Sequence, residues 1–216
     1  MEKIVSRSTA KGFLSFIFIC LFQYADAQHI DINWLRSINK PKSDALSGTM
    51  QAVSNSAYVV TAGVPFTQLV AGYIKHDTTL IENGWITGAG LGVDLFITLG
   101  LKYAIHRPRP HTTYPDIIAY ESETSLSFPS GHTSAAFAVA TSLSLEYKKW
   151  YVAVPAYAWA GTVGYSRMYL GMHYPSDVLV GALVGSGSAW ITYKGTAWLQ
   201  HRGKLKGGLC KWILRK

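Results

Sequence analysis

The chain has 216 residues, enough for one domain with a full core, and only 15% of them are charged, against about 25% in ordinary soluble domains. The net charge is +8 and 49% of the residues are apolar, a balance that fits an anionic lipid surface better than nucleic acid. Two cysteines, Cys20 and Cys210, exclude a disulfide framework and a cysteine metal site.

The first 27 residues predict an export signal. Lys3, Arg7 and Lys11 form a basic start, Gly12 to Phe22 is an apolar run of 11 residues, and Ala25-Asp26-Ala27 offers a small-x-small cleavage site. The alternative is an uncleaved first transmembrane helix. Either way, residue 28 begins outside the cytoplasm. Residues 28–56 are expected to be a periplasmic or interfacial segment, with Ile30, Ile32, Trp34, Leu35 and Ile38 on a face that lies on the membrane.

Five weakly charged runs follow: Tyr58 to Ile74, Gly84 to Leu101 with the single acid Asp94, His132 to Leu145, Trp150 to Tyr165, and Val178 to Tyr193. They predict an all-α integral membrane bundle of five or six helices over residues 57–196, some helices extending a turn beyond each run. Glycines 84, 88 and 92, and again 181 and 185, recur every four residues, a spacing for close helix packing. Lys148 and Lys149, and a tail over 197–216 with Arg202, Lys204, Lys206, Lys211, Arg215 and Lys216, mark the cytoplasmic side. Trp85, Trp150, Tyr151 and Tyr165 sit at run ends, as interfacial aromatics do. The segments Lys102–His132 and Ser166–Asp177 then share the opposite side.

Those segments carry the chemistry. Lys102 closes an apolar run, and Pro108 and Pro110 stiffen the chain that presents Arg109. Guanidinium forks suit paired phosphate oxygens, and an ammonium acts as a point charge. Pro129-Ser130-Gly131-His132 opens a helix, where free N–H groups favour an anion and Gly131 lets the backbone approach it. His132 is placed to protonate a leaving alcohol. His173 and Asp177 are four apart, so the carboxylate can orient the imidazole and leave its other nitrogen as a nucleophile. Arg167 adds a third cation. The inventory predicts a phosphohistidine intermediate, with His132 as acid in the first step and base for water in the second.

Other polar residues receive plainer readings. Arg107 is expected to make a head-group or structural contact, and His106 and His111 to be solvated or interfacial. Asp94 is expected to be structural, pairing with a neighbouring helix or supporting Lys102. Glu121 and Glu123 are expected to be solvated, in a loop able to gate entry. His76 is assigned no role.

The three segments resemble the tripartite signature of the type 2 phosphatidic acid phosphatase superfamily: Lys-x6-Arg-Pro, Pro-Ser-Gly-His and Ser-Arg-x5-His-x3-Asp. Lys102, Arg109, Pro110, Pro129, Ser130, Gly131, His132, Ser166, Arg167, His173 and Asp177 all fit. The resemblance implies a helical-bundle phosphatase that needs no metal or cofactor. It implies His173 as nucleophile, Asp177 as its partner, His132 as acid, and Lys102, Arg109, Arg167, Ser130 and Gly131 around the phosphate. It further implies a lipid phosphate substrate at the periplasmic face of a bacterial inner membrane, with lipid A favoured. Undecaprenyl pyrophosphate, phosphatidylglycerophosphate and phosphatidic acid are the alternatives. No nucleic acid and no obligate protein partner is expected. Competing readings are transfer of the phosphoryl group to a lipid acceptor, a vanadium haloperoxidase, a soluble periplasmic acid phosphatase, and a non-enzymatic membrane binder.

Overall fold

The computed structural model describes residues 29–40 and 43–202; the expected export signal and the tail beyond Arg202 lie outside the described residues. A first helix, α1, covers 29–38. It is followed by α2 (Asp44–Lys75), α3 (Thr78–Ile105), the single turn α4 (Pro110–Thr113), α5 (Gly131–Tyr147), α6 (Trp150–Tyr169) and α7 (Pro175–His201). No strand is present among the described residues.

Local chemistry sets the boundaries. His76, at φ 53°, ends α2, and Asp77 at once caps α3 by accepting from the N–H groups of Thr79 and Leu80. The turn is therefore two residues long and the helices run antiparallel. Lys148 adopts the same left-handed conformation after α5, at φ 52°. Pro110 and Pro175 each occupy the start of a helix, where a missing N–H costs nothing. All five long helices are longer than the apolar runs that announced them. Helix α2 starts at Asp44, so 44–56 belong to the bundle and not to the segment before it.

Helix α5 is the hub, in contact with α2, α3, α6 and α7. Its core neighbours are small: Ala57, Ala136, Ala140, Ala160 and Val163 are fully buried together. Large apolar side chains point outward instead, with Phe96 80% and Val59 73% exposed. A soluble domain would reverse that arrangement. In lipid, close packing of small residues holds helices together, because the tails are as apolar as leucine. Helices α2 and α3 are long and apolar enough to cross a bilayer. The architecture is an integral membrane helical bundle.

Two details differ from expectation, and a third decides between two expected roles. The apolar residues of α1 do not share one membrane-facing side: Ile32 and Leu35 are buried against Ile117 and Tyr174, while Ile30 and Trp34 stay exposed. A Cβ on Gly84 would meet Leu69, and one on Gly181 would meet the Ser130 carbonyl at 2.7 Å, but Gly88 and Gly92 face open space. A four-residue step drifts about 40° per step on a 3.6-residue helix, so a long row leaves the contact face. Asp94, buried in α3, accepts a hydrogen bond from Ser134 of α5, the first of its two expected roles.

Alternation of direction brings the C-terminal ends of α3 and α6 and the N-terminal ends of α5 and α7 to one end of the bundle. All three sequence motifs lie there.

Candidate active site

His173 sits in the tight turn between α6 and α7 and is 1% exposed. The turn depends on Gly171, at φ 72°, where a Cβ would also strike the Ile118 carbonyl oxygen. On one side of the imidazole, Nε2 lies 3.4 Å from NH1 of Arg109. A guanidinium only donates, so Nε2 is the acceptor nitrogen and the proton resides on Nδ1. On that side Nδ1 is 3.7 Å from Asp177 Oδ2, within ion-pair reach but beyond hydrogen-bond length. Ser127 fills the gap: its hydroxyl lies 3.4 Å from Nδ1 and donates to Asp177 Oδ2 at 2.5 Å. Burial lowers the His173 pKa to about 4; Asp177 opposes the shift, and Arg109 and Arg167 add to it. The imidazole is therefore neutral, with a lone pair on Nε2.

Asp177 is fully buried near the start of α7. Its Oδ2 also accepts from the Tyr174 N–H at 3.0 Å, an N-terminal cap of α7. Its Oδ1 accepts from NH1 of Arg107 at 2.6 Å. The Asp177 carboxylate is thus held by helix, loop and arginine together.

The three expected cations converge around this turn. Lys102 Nζ donates to the Leu126 carbonyl at 2.5 Å. Arg109 is nearly buried; it donates from Nε to the Ser125 carbonyl at 2.7 Å and from NH1 to the Met172 carbonyl at 3.0 Å, and its NH2 pairs with Glu123. Arg167 is fully buried; NH1 donates to Ser54 Oγ and to Glu121, each at 2.6 Å, and NH2 to Glu123 at 2.9 Å. Its Nε has no partner among the described residues. Glu123 therefore bridges Arg109 and Arg167. Burial alone would raise its pKa, but Arg167 and Arg109 outweigh burial and hold it below the ordinary value.

The second motif is only partly as expected. Gly131 and His132 line the cavity in front of His173, and the His132 ring meets Tyr58 edge-on at 4.6 Å. Ser130, however, is fully buried: its hydroxyl lies 2.9 Å from that of Thr133, and its N–H donates to the Asp177 carbonyl at 3.0 Å. Ser130 ties α5 to α7 and does not reach the cavity wall. The cavity holds about 450 Å³ and has two kinds of wall. Lys102, Arg109, Glu123, His132 and His173 belong to the polar part; Ala57, Leu95 and Ala135, from α2, α3 and α5, belong to the apolar part.

Further expectations are corrected here. Glu121 and Glu123 are not solvated, because Arg167 and Arg109 draw them inward. Of Arg107's two expected contacts the structural one is found, with Asp177 and Asp31. His111 is half-buried with Nδ1 3.4 Å from the Gly171 carbonyl, while His106 is exposed as expected. Sequence reasoning missed Ser127 and Asp31. Neither belongs to a spaced motif; a serine two residues before a Pro-Ser-Gly turn was the only signal for Ser127.

A profile of the PAP2 superfamily matches residues 83–200, more than half of the chain. The lipid A 4'-phosphatase of Bacteroides thetaiotaomicron is 39% identical over 66 residues, 31% of this chain and 29% of that protein. The undecaprenyl-diphosphatase of Sulfolobus acidocaldarius is 36% identical over 93 residues, 43% of each chain. This chain thus spans less than half the length of these curated relatives. Among solved structures, that of Aquifex aeolicus LpxE superposes with a TM-score of 0.65 and 27% identity, covering 76% of this chain and 95% of that one. The profile match falls on the helices that carry all three motifs, and on that ground the chain belongs to the PAP2 superfamily.

Proposed function

We propose that the chain is a lipid phosphatase that hydrolyses a phosphate monoester, lipid A by preference, at the periplasmic face of a bacterial inner membrane. The observation that carries this reading is the two-walled cavity. Cations and two imidazoles sit at one end of the bundle, and the same cavity continues along apolar residues of α2, α3 and α5. A phosphate on an apolar anchor fits such a space; a soluble phosphate ester has no use for the second wall.

The placements support the following mechanism. Arg109 and Lys102, which line the cavity, hold the phosphoryl oxygens with the Gly131 N–H at the start of α5, and the buried Arg167 behind them adds charge and reaches the anion only where Glu123 gives way. The unpartnered Nε of Arg167 suits an anionic ligand. Nε2 of His173 attacks phosphorus while the proton stays on Nδ1, which faces the Ser127 hydroxyl and Asp177. The dianionic phosphate, once bound, draws a proton from solvent onto His132; the P–O bond to the lipid breaks, and His132 gives that proton to the leaving oxygen. The N–P bond of the phosphohistidine is then broken by water, whose proton returns to His132, and inorganic phosphate leaves.

Purified protein in detergent should release inorganic phosphate from lipid A, and His173→Ala should abolish that release. Mass spectrometry of membrane lipids with and without the gene names the substrate: the lipid that gains phosphate on deletion is the one cleaved. A gain on undecaprenyl phosphate in place of lipid A moves the substrate and keeps the chemistry. Normal release by His173→Ala would sink the nucleophile.

A further inference from the structure

We propose that Arg107 and Asp31 are positioning residues for His173, acting through Asp177, so that α1 is a working part of the catalytic end. This rests on the function proposed above. Arg107 is held on every side. Its NH1 donates to Asp177 Oδ1 at 2.6 Å and to Ser176 Oγ at 2.7 Å, and its NH2 donates to Asp31 Oδ2 at 2.7 Å. Its guanidinium carbon lies 3.8 Å from the centre of the Tyr174 ring. Asp31 in turn caps α7: Oδ1 accepts from the Ser176 N–H at 2.9 Å and Oδ2 from the Ser176 hydroxyl at 2.5 Å.

The chain of contacts runs Asp31, Arg107, Asp177, Ser127, His173. Each link constrains the next. With Oδ1 taken by Arg107, the Asp177 carboxylate cannot rotate, and Oδ2 is left facing Ser127 and the imidazole. Asp31 keeps the guanidinium in place and keeps the first turn of α7, which carries Asp177, against α1. None of Asp31, Arg107 and Ser176 lines the cavity in front of His173, so none is placed to touch the phosphoryl group. Burial makes the network costly to break: Asp31 is 7% exposed and Asp177 fully buried. A pair of buried charges loses far more when one member is removed than it contributes intact.

The test separates positioning from mere stability. The charged and titratable groups that face His173 are Asp177, Arg109, Arg167, Glu123, His132 and, across the cavity, Lys102. In Arg107→Gln, Asp177 loses its counter-charge and acts more fully on the imidazole. Histidine-selective NMR of the full chain in detergent should then show His173 titrating about one pH unit higher than in the wild type. In Asp31→Asn, Arg107 is left to Asp177 alone, and the shift should be smaller and of opposite sign. Turnover by Arg107→Gln should fall about a hundredfold in kcat with KM nearly unchanged, as for a misplaced group that does not bind substrate. Arg107→Lys, which keeps the charge without the fork, should lie between and serves if Arg107→Gln fails to fold. An unchanged His173 titration in these variants overturns the proposal, as does a rise in KM with kcat intact. A wild-type protein that releases no phosphate would instead sink the proposed function, and the titration would still report on the link from Arg107 to His173.

Discussion

The carboxylate of Glu123 does to Arg109 and Arg167 what a pair of phosphoryl oxygens would do, bridging the two guanidinium groups from the wall of the cavity. A phosphate that binds these arginines must displace it. Glu123→Gln keeps the shape and removes the charge, so inorganic phosphate and vanadate should inhibit that variant at about tenfold lower concentration. Weaker inhibition would show that the carboxylate assists the anion and does not compete with it. The same residue carries a pH signature. Its folded pKa lies below the ordinary 4.5, so its pairing stabilises the fold above that value and the contribution is lost as pH falls through the depressed one. Thermal unfolding should therefore find the wild type more stable than Glu123→Gln at pH 7, with the gap closing as pH falls below 4.5 and through the depressed folded value. That Lys102, Arg109, Arg167, His132, His173 and Asp177 come together at one end was legible from the three spaced motifs. Glu123 was not, since a loop acid has no periodicity and its partners are 14 and 44 residues away.

Helices α5 and α7 meet where glycine permits it. A Cβ on Gly185 would fall inside the Ser134 carbonyl oxygen, and one on Gly181 would lie 2.7 Å from the Ser130 carbonyl. Neither obstacle is a flexible side chain, so the helices themselves must part. Gly185→Ala should cost about 1–3 kcal/mol of stability in detergent unfolding, the usual range for overpacking. It should also lower turnover, because the displaced end of α5 carries Gly131 and His132. Gly88→Ala is the control: its Cβ meets nothing, and a small gain from helix propensity is expected. Equal effects in the two variants would mean that propensity, not contact, decides. The four-residue repeat identified Gly84, Gly181 and Gly185 correctly as packing positions. It overreached at Gly88 and Gly92, because spacing alone does not say which face of a helix has a neighbour. The interior of α1 was misread for a related reason: Ile32 and Leu35 are apolar whether they meet lipid or Ile117 and Tyr174.

The whole molecule is a polar end on an apolar body. Its motifs gather at the end formed by the starts of α5 and α7, and the turn at Lys148 and Lys149 lies at the other. Alternating helices make that separation inevitable once five long segments are recognised, which is why the common side of the motifs was readable from loop charges. Orientation in a membrane is a different matter, set by which end the lysines keep in the cytoplasm. It can be read directly. In a background without Cys20 and Cys210, a cysteine placed at the exposed Ala119, at the end that carries the motifs, should react with a membrane-impermeant maleimide in spheroplasts. One placed at the exposed Lys149 should react only after the membrane is opened. The reverse pattern would put His173 and its cations in the cytoplasm, where lipid A on the outer face is out of reach, and the proposed substrate would have to be given up. Reaction at both sites in intact spheroplasts would mean that no bilayer separates the ends, and the chain would not span the membrane at all.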